Sequence, residues 1–297
     1  MATIGVVAHS GKTVGGGLEE LRAALADGGF ADPPWEEVNK SRKAPKAVRR
    51  LLDAGVDRLI VWGGDGTVQR CVDAILHAGA GERTTVAVIP AGTANLLATN
   101  LHIPTDVRAA AEVALHGARR RIDVGRINGE HFTVMAGTGF DALMISDADR
   151  GLKDRLGQAA YLWTGWRNLG NSAAEVNVEV DGRRWYRGRA SCVLISNQST
   201  ILGGIEAIPG ARPDDGLLDV GVITAESRLE WLRVLGRTAI GRAPSSPMVS
   251  TTSVASKVRI ELDRSLPWEL DGGDRDRTRR LKVKVLPGAL EVCVPNP

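Results

Sequence analysis

Apolar positions along the first third of the chain follow two alternating rhythms. Nearly unbroken runs at Thr3–Ala8, Leu59–Val61 and Val86–Ile89 read as strands covered on both faces, with a shorter strand near Glu36–Val38. Between them apolar residues recur every three or four positions. Leu18, Leu21, Ala24 and Leu25 form one face of a helix over Gly17–Asp27, and Val68, Val72, Ile75 and Leu76 form another after Thr67. Further helices are predicted at Pro45–Asp53, where proline suits a first turn, after Thr93, and over Thr105–His116. Strand–helix alternation predicts a parallel sheet with helices on both faces, and such sheets gather ligands beyond the carboxyl ends of their strands.

Past Arg119 the rhythm changes. Arg120–Ile127 and His131–Met135 flank Asn128-Gly129, a strong hairpin signal. Gly137-Thr138-Gly139-Phe140-Asp141 opens a long helical stretch reaching about Leu169. Short strands follow at Val176–Val180, Trp185–Ser196, Leu217–Ile223, Val254–Leu262, Leu281–Leu286 and Leu290–Val294, interrupted by a helix over Glu226–Ile240. The expected fold is α/β: an N-terminal parallel-sheet nucleotide-binding domain (residues 1–122) and a C-terminal β-sandwich-rich, substrate-binding domain with a long helix (residues 123–297). The seam between them is the natural cleft.

Composition narrows the class. Hydrophobic residues at 43% and charged residues at 25% are those of a globular protein, no apolar run is long enough to span a bilayer, and no signal-peptide pattern opens the chain. The expectation is a cytoplasmic protein. Cys71, Cys192 and Cys293 lack metal-binding spacing and read as buried thiols. A net charge of +3 permits contact with anionic lipid or nucleotide but gives no argument for nucleic-acid binding.

The strongest chemical signal is Gly63-Gly64-Asp65-Gly66-Thr67, set between a strand and a helix. Glycines let backbone N–H groups approach phosphates, and the helix N-terminus favours anions. A carboxylate there makes sense beside a cation such as Mg²⁺, or simply as a helix cap. His9-Ser10-Gly11-Lys12-Thr13 follows the first strand and ends like a P-loop, but Gly5 lies one residue too far from Gly11 and inside the strand. It reads as another phosphate-facing loop, with a P-loop as the alternative. A third polar loop, Pro90-Ala91-Gly92-Thr93-Ala94-Asn95, falls at the same end of the sheet.

Taken in order with Gly137–Asp141, Asp214-Asp215-Gly216-Leu217-Leu218-Asp219 and Asp271-Gly272, these loops resemble the diacylglycerol kinase catalytic-domain family. That family includes bacterial lipid kinases and sphingosine kinases and is distantly similar to NAD kinases. The resemblance covers essentially the whole chain. It implies transfer of the γ-phosphate of ATP to a lipid hydroxyl, with Mg²⁺ as cofactor. By position it implies nucleotide contacts from Ser10, Gly11, Lys12, Ser41, Gly63, Gly64, Asp65, Gly66, Thr67, Gln69, Gly92, Thr93 and Asn95. Asp65 would act through Mg²⁺, and Arg212, Asp215 and Leu217 match a loop that in some members holds a second, structural Mg²⁺. A plain turn is the alternative there.

Three departures from the family pattern stand out. The first loop lacks the usual Asn-Pro-x-Ser-Gly, Gln69-Arg70 replaces Asn-Glu, and Gly273 stands where the family carries its general-base glutamate. A positioned base commonly adds ~10²–10⁴-fold, so a substitute is needed. Asp274 is the first candidate and Asp271 the second. Leu162, Trp163, Trp166 and Leu169, with Arg155 and Arg167, read as a core-facing stripe or as an interfacial surface, and Asp141 as a helix cap or acceptor-facing carboxylate. Arg279, Arg280, Lys282 and Lys284 suit an anionic lipid surface or a half-exposed strand. The expected partner is thus a lipid met peripherally at the inner face of a membrane, and a homodimer is allowed. A soluble acceptor such as NAD and a catalytically silent nucleotide binder are the competing functions.

Overall fold

In the computed structural model, residues 3–139, 173–201, 205–206, 208, 210–239, 246–254 and 256–296 are described. The stretch from Phe140 to Leu169, with its tryptophans, arginines and Asp141, lies outside them. No helix among the described residues is long and apolar enough to cross a membrane.

The N-terminal half is built as the hydrophobic rhythm requires. Strands β1 (Ile4–His9), β2 (Trp35–Val38), β3 (Arg58–Gly63) and β4 (Thr85–Pro90) are parallel, in the order β2-β1-β3-β4. Helices α1 (Gly17–Asp27), α2 (Ala44–Asp53), α3 (Asp65–His77), α4 (Leu96–Asn100) and α5 (Val107–His116) cover them, with α2 against α3 and α1 against α5. Every residue of β4 is buried, as expected of a strand with both faces covered.

The C-terminal half is antiparallel. Strands β5 (Ala118–Ile127) and β6 (Glu130–Phe132) form the hairpin over Asn128-Gly129, where both residues take positive φ (48° and 102°). Gly125 is glycine because its cross-strand partner Phe132 lies over it: a Cβ there would stand 2.0 Å from the ring. Next come β7 (Met135–Thr138), β8 (Ala174–Val180), β9 (Arg183–Ala190) and β10 (Cys192–Ser196). A small pair, β11 (Thr200–Ile201) and β12 (Ile205–Glu206), precedes β13 (Leu218–Ile223), helix α6 (Arg228–Ala239) and β14 (Val249–Val254). Their second apolar core includes Phe132, Val178, Ile195, Val220, Ile260, Trp268 and Leu281.

Two long strands join the halves. β15 (Lys257–Leu270) turns through Asp271-Gly272 into β16 (Gly273–Val294). Leu281–Leu286 and Leu290–Val294, expected as two strands, are one strand with a register shift around Gly288. Its final stretch runs parallel beside β4, pairing Glu291 with Thr85 and Val292 with Val86. The end of the chain therefore completes the N-terminal sheet, so the two halves share one hydrogen-bonded surface.

Candidate active site

The glycine loops meet at the carboxyl ends of β3 and β4. A Cβ on Gly64 would stand 2.9 Å from Gly92 Cα, and one on Gly92 would stand 2.5 Å from Gly64 Cα. Only glycine permits this backbone-to-backbone approach. Asn95, in the left-handed region at φ 49°, closes the second loop. Its Oδ1 accepts from Gly92 N at 2.8 Å, and its Nδ2 donates to Gly92 O at 3.0 Å. Across the first loop, the Thr67 and Ser41 hydroxyls lie 2.9 Å apart. Gly66 is exposed, and a Cβ there would meet Ser41 Oγ at 3.8 Å, an ordinary contact, so the N-terminus of α3 is accessible to solvent at this residue. Thr93 is exposed on the facing loop.

Asp65 bridges the two loops. Its carboxylate accepts from Asn95 N at 2.9 Å and Leu96 N at 2.5 Å, capping α4 from a neighbouring helix. Burial pushes its pKa up to about 6. The bond from Leu96 N opposes that rise, and the negative charge of Asp271 reinforces it. Beyond those two bonds each carboxylate oxygen keeps a further lone pair, the kind of hard oxygen ligand that Mg²⁺ takes together with nucleotide phosphates. The donor set therefore fits Mg²⁺ at Asp65, and the open N-terminus of α3 fits a polyphosphate.

Asp271 comes from the other half of the protein. It sits at the tip of the β15–β16 turn with φ 42°, followed by Gly272 at 75°. Its Oδ2 accepts from Thr133 N (2.8 Å) and Thr133 Oγ1 (3.0 Å), and its Oδ1 from Val134 N (2.9 Å) and Met135 N (3.0 Å). Four donors occupy a fully buried group, which makes Asp271 a strap holding the hairpin to the β6–β7 segment. This corrects its expected place as a second general base, because none of its lone pairs is left to take a proton from a substrate.

Gln69 is also redirected. It is buried, its Nε2 donates to His131 O at 3.0 Å, and its Oε1 accepts from Arg275 Nη2 at 3.3 Å. Both ends of the amide tie α3 to the second half, so it is not a nucleotide contact. Arg275 in turn grips Glu130 with two nitrogens, Nε at 2.8 Å and Nη2 at 2.7 Å, and Arg70 adds a 3.2 Å contact. A Cβ on Gly273 would lie 3.0 Å from Arg275 Nη1. Gly273, Gln69 and Arg70 thus all lie around the Glu130–Arg275 pair.

Asp274 is exposed, and strand alternation sends it to the face opposite Arg275. Directly across from it on β15 stands Glu269, a buried carboxylate that also pairs in register with Gly137. In the sequence the only signal of Glu269 is an acid between Trp268 and Leu270. Glu130 and Arg275 gave no local signal at all.

The first loop is not a P-loop. Ser10 N donates to Val38 O, Gly11 N to His9 Nδ1, and Lys12 N to His9 O, so three successive N–H groups already have partners within the chain. Partial burial and the Lys12 charge lower the His9 pKa, in keeping with a neutral ring that accepts from Gly11. Trp62 Nε1 anchors the loop through Lys12 O at 3.2 Å. What the loop offers a phosphate is the Lys12 ammonium, since the Ser10 hydroxyl already donates to Val38 O at 3.4 Å.

Arg212, Asp215 and Leu217 lie together in the turn before β13. Asp215 Oδ1 accepts from Leu217 N at 3.0 Å, and Asp214 pairs with Arg120. The buried Asp123 holds the turn by accepting from Gly216 N at 2.6 Å and Gly288 N at 2.7 Å. Protein donors secure this turn, and a second Mg²⁺ there would take Asp215 Oδ2 and backbone carbonyl oxygens. Asp123 had a signal, a carboxylate within the apolar run Ile122–Val124.

Comparison with known proteins gives two family matches. Residues 8–127 match the diacylglycerol kinase catalytic domain, and residues 134–294 match the YegS C-terminal NAD kinase beta sandwich-like domain. The chain is 33% identical over 286 residues to a "Probable lipid kinase YegS-like" of Pseudomonas aeruginosa, covering 94% of this chain and 91% of that protein. It is 31% identical over 218 residues to a diacylglycerol kinase of Bacillus subtilis, covering 73% and 71%. A crystal structure of a diacylglycerol kinase from Bacillus anthracis shares the fold, with TM-score 0.75 and 22% identity over 98% of this chain and 96% of that one.

Proposed function

The chain belongs to the diacylglycerol kinase catalytic-domain family, and on that premise we propose that it transfers the γ-phosphate of ATP to the hydroxyl of a lipid. The observation that carries this reading is the contact of two glycine loops at Gly64 and Gly92. It brackets Asp65 beside an open helix N-terminus, with the Asp271 turn near enough for its charge to act on Asp65. The α3 N-terminus, Ser41, Thr93 and Lys12 would hold the phosphates, with the buried Thr67 hydroxyl supporting Ser41 from behind. Mg²⁺ at Asp65 would neutralise charge on the nucleotide oxygens. The acceptor hydroxyl attacks the γ-phosphorus, the bond to the bridging oxygen of ADP breaks, and the hydroxyl proton passes to a carboxylate. Asp274 is the proposed base. Glu269 is the second reading, favoured by its burial directly across the strand pair. The lipid would be met at the cytoplasmic face of a membrane by peripheral contact, and pairing of two copies belongs to the same proposal.

The test is incubation of the pure protein with labelled ATP and Mg²⁺ against diacylglycerol, a sphingoid base, a polyprenol and NAD. Label in a lipid supports the proposal. Label in NAD assigns a soluble acceptor, and tight ATP binding with no transfer assigns a silent nucleotide binder. Asp274→Asn is expected to abolish transfer at unchanged ATP affinity. Full activity in that variant, with loss in Glu269→Gln, moves the base to Glu269.

A further inference from the structure

Asp73, His77 and His131 form a cluster that the nucleotide site does not use. Asp73 and His77 lie one turn apart on α3, and His131 reaches them from β6. One ligand atom from each lies within 4.8 Å of the others, the only such group among the described residues. His131 is tied to Asp73 twice: its backbone N and its Nδ1 each lie 2.9 Å from Asp73 Oδ1. His77 Nδ1 is 2.8 Å from Asp73 O and 3.2 Å from Asp73 Oδ1. The two imidazoles meet edge to face with centroids 4.8 Å apart. Two imidazoles bound to one tetrahedral ion at a metal–nitrogen distance of about 2.0 Å place their centroids roughly 5 Å apart, so the rings already stand at coordination spacing.

We propose that Asp73, His77 and His131 bind one divalent transition-metal ion of the zinc class, with water completing a four-coordinate shell. Two imidazoles and one carboxylate select Zn²⁺, Co²⁺ or Ni²⁺ over Mg²⁺ and Ca²⁺, which prefer all-oxygen shells. Access is through His77, half of whose side chain faces solvent, while His131 is 6% exposed and Asp73 13%. Ligand atoms around such an ion stand about 3.3 Å apart, and rotation of His77 closes the remaining gap. The ion pins α3 to the β5–β6 hairpin. The same two elements are joined by the bond from Gln69 to His131 O, on the helix that Asp65 begins. The site thus braces the carrier of the glycine loop against the second half of the protein.

The experiment uses the full chain freed of any affinity tag, with excess Mg²⁺ present. Equilibrium dialysis against Zn²⁺ or Co²⁺ is expected to retain one ion per chain, Co²⁺ to develop a tetrahedral visible absorption band, and saturating Zn²⁺ to raise Tm by about 3–6 °C. His77→Ala removes an exposed ligand and is expected to abolish all three responses while keeping the metal-free Tm within a degree or two. His116→Ala, a control on α5, is expected to keep them. Wild-type protein that retains no more ion than His77→Ala, or retention unaffected by that change, overturns the proposal.

Discussion

Substitution of Asp65 by asparagine separates its chemical role from its structural one. The carboxylate ionises only above about pH 6, against 3.8 for the ordinary group, chiefly because it is buried. Since the folded state keeps the proton longer, it binds more protons than the unfolded chain between about pH 4 and 6. Stability therefore falls as pH rises through that window and is flat above it. At 1.36 kcal/mol per pH unit, a rise from 3.8 to about 6 makes the ionised group cost roughly 3 kcal/mol at pH 8. Asparagine resembles the protonated acid in shape and still accepts one of the bonds from Asn95 N and Leu96 N. Urea unfolding without Mg²⁺ or nucleotide is expected to find Asp65→Asn more stable than wild type at pH 8, by up to roughly 3 kcal/mol. The difference should shrink toward zero by about pH 4. Burial also raises the Asp271 pKa, but that slope is common to both proteins. Phosphoryl transfer in the same variant should fall by about 10³-fold or more, because charge compensation at the phosphates is lost. A variant clearly less stable than wild type at pH 8, or one that keeps Mg²⁺-dependent turnover, refutes the reasoning.

Two further substitutions test the frame around the site. Gly92→Ala forces a Cβ to within 2.5 Å of Gly64 Cα, so the loops must part; the expected result is about 1–3 kcal/mol less stability by urea unfolding and at least about tenfold weaker ATP binding by calorimetry. Asp271→Ala leaves the Thr133, Val134 and Met135 N–H groups without their acceptor, and about 3–5 kcal/mol of destabilisation is expected in the same assay, whereas a role limited to catalysis predicts a normal unfolding midpoint.

Much of the fold was legible because its signals are local. The strand–helix alternation up to His116, the Asn128-Gly129 hairpin and the Asp271-Gly272 turn each rest on periodicity or on residues that tolerate positive φ. The glycine loops were legible for the same reason. Gln69 was misplaced because a position just past a phosphate loop says nothing of which way its helix face points, and here that face meets β6 and β16. Asp271 was misplaced because the three N–H groups that engage it lie 136–138 residues away in sequence. Neither partnership leaves a trace in local spacing.

The chain by itself determined that Gly63, Gly64, Gly66 and Gly92 line the ends of buried parallel strands with an acid among them. That follows from the absence of Cβ atoms, from two-residue and 3.6-residue periods, and from turn chemistry, all of which act within a few residues. Only the tertiary structure decided that Gly64 touches Gly92, that Asp65 takes its partners from Asn95 and Leu96, and that the end of β16 returns to lie beside β4. It also brought Glu130 to Arg275 and His131 to Asp73. These arrangements depend on packing between segments far apart in sequence, where burial of carboxylates and exclusion of water set the energies. The loops can be read from residue types, but the charges that act within them are set by what folds against them.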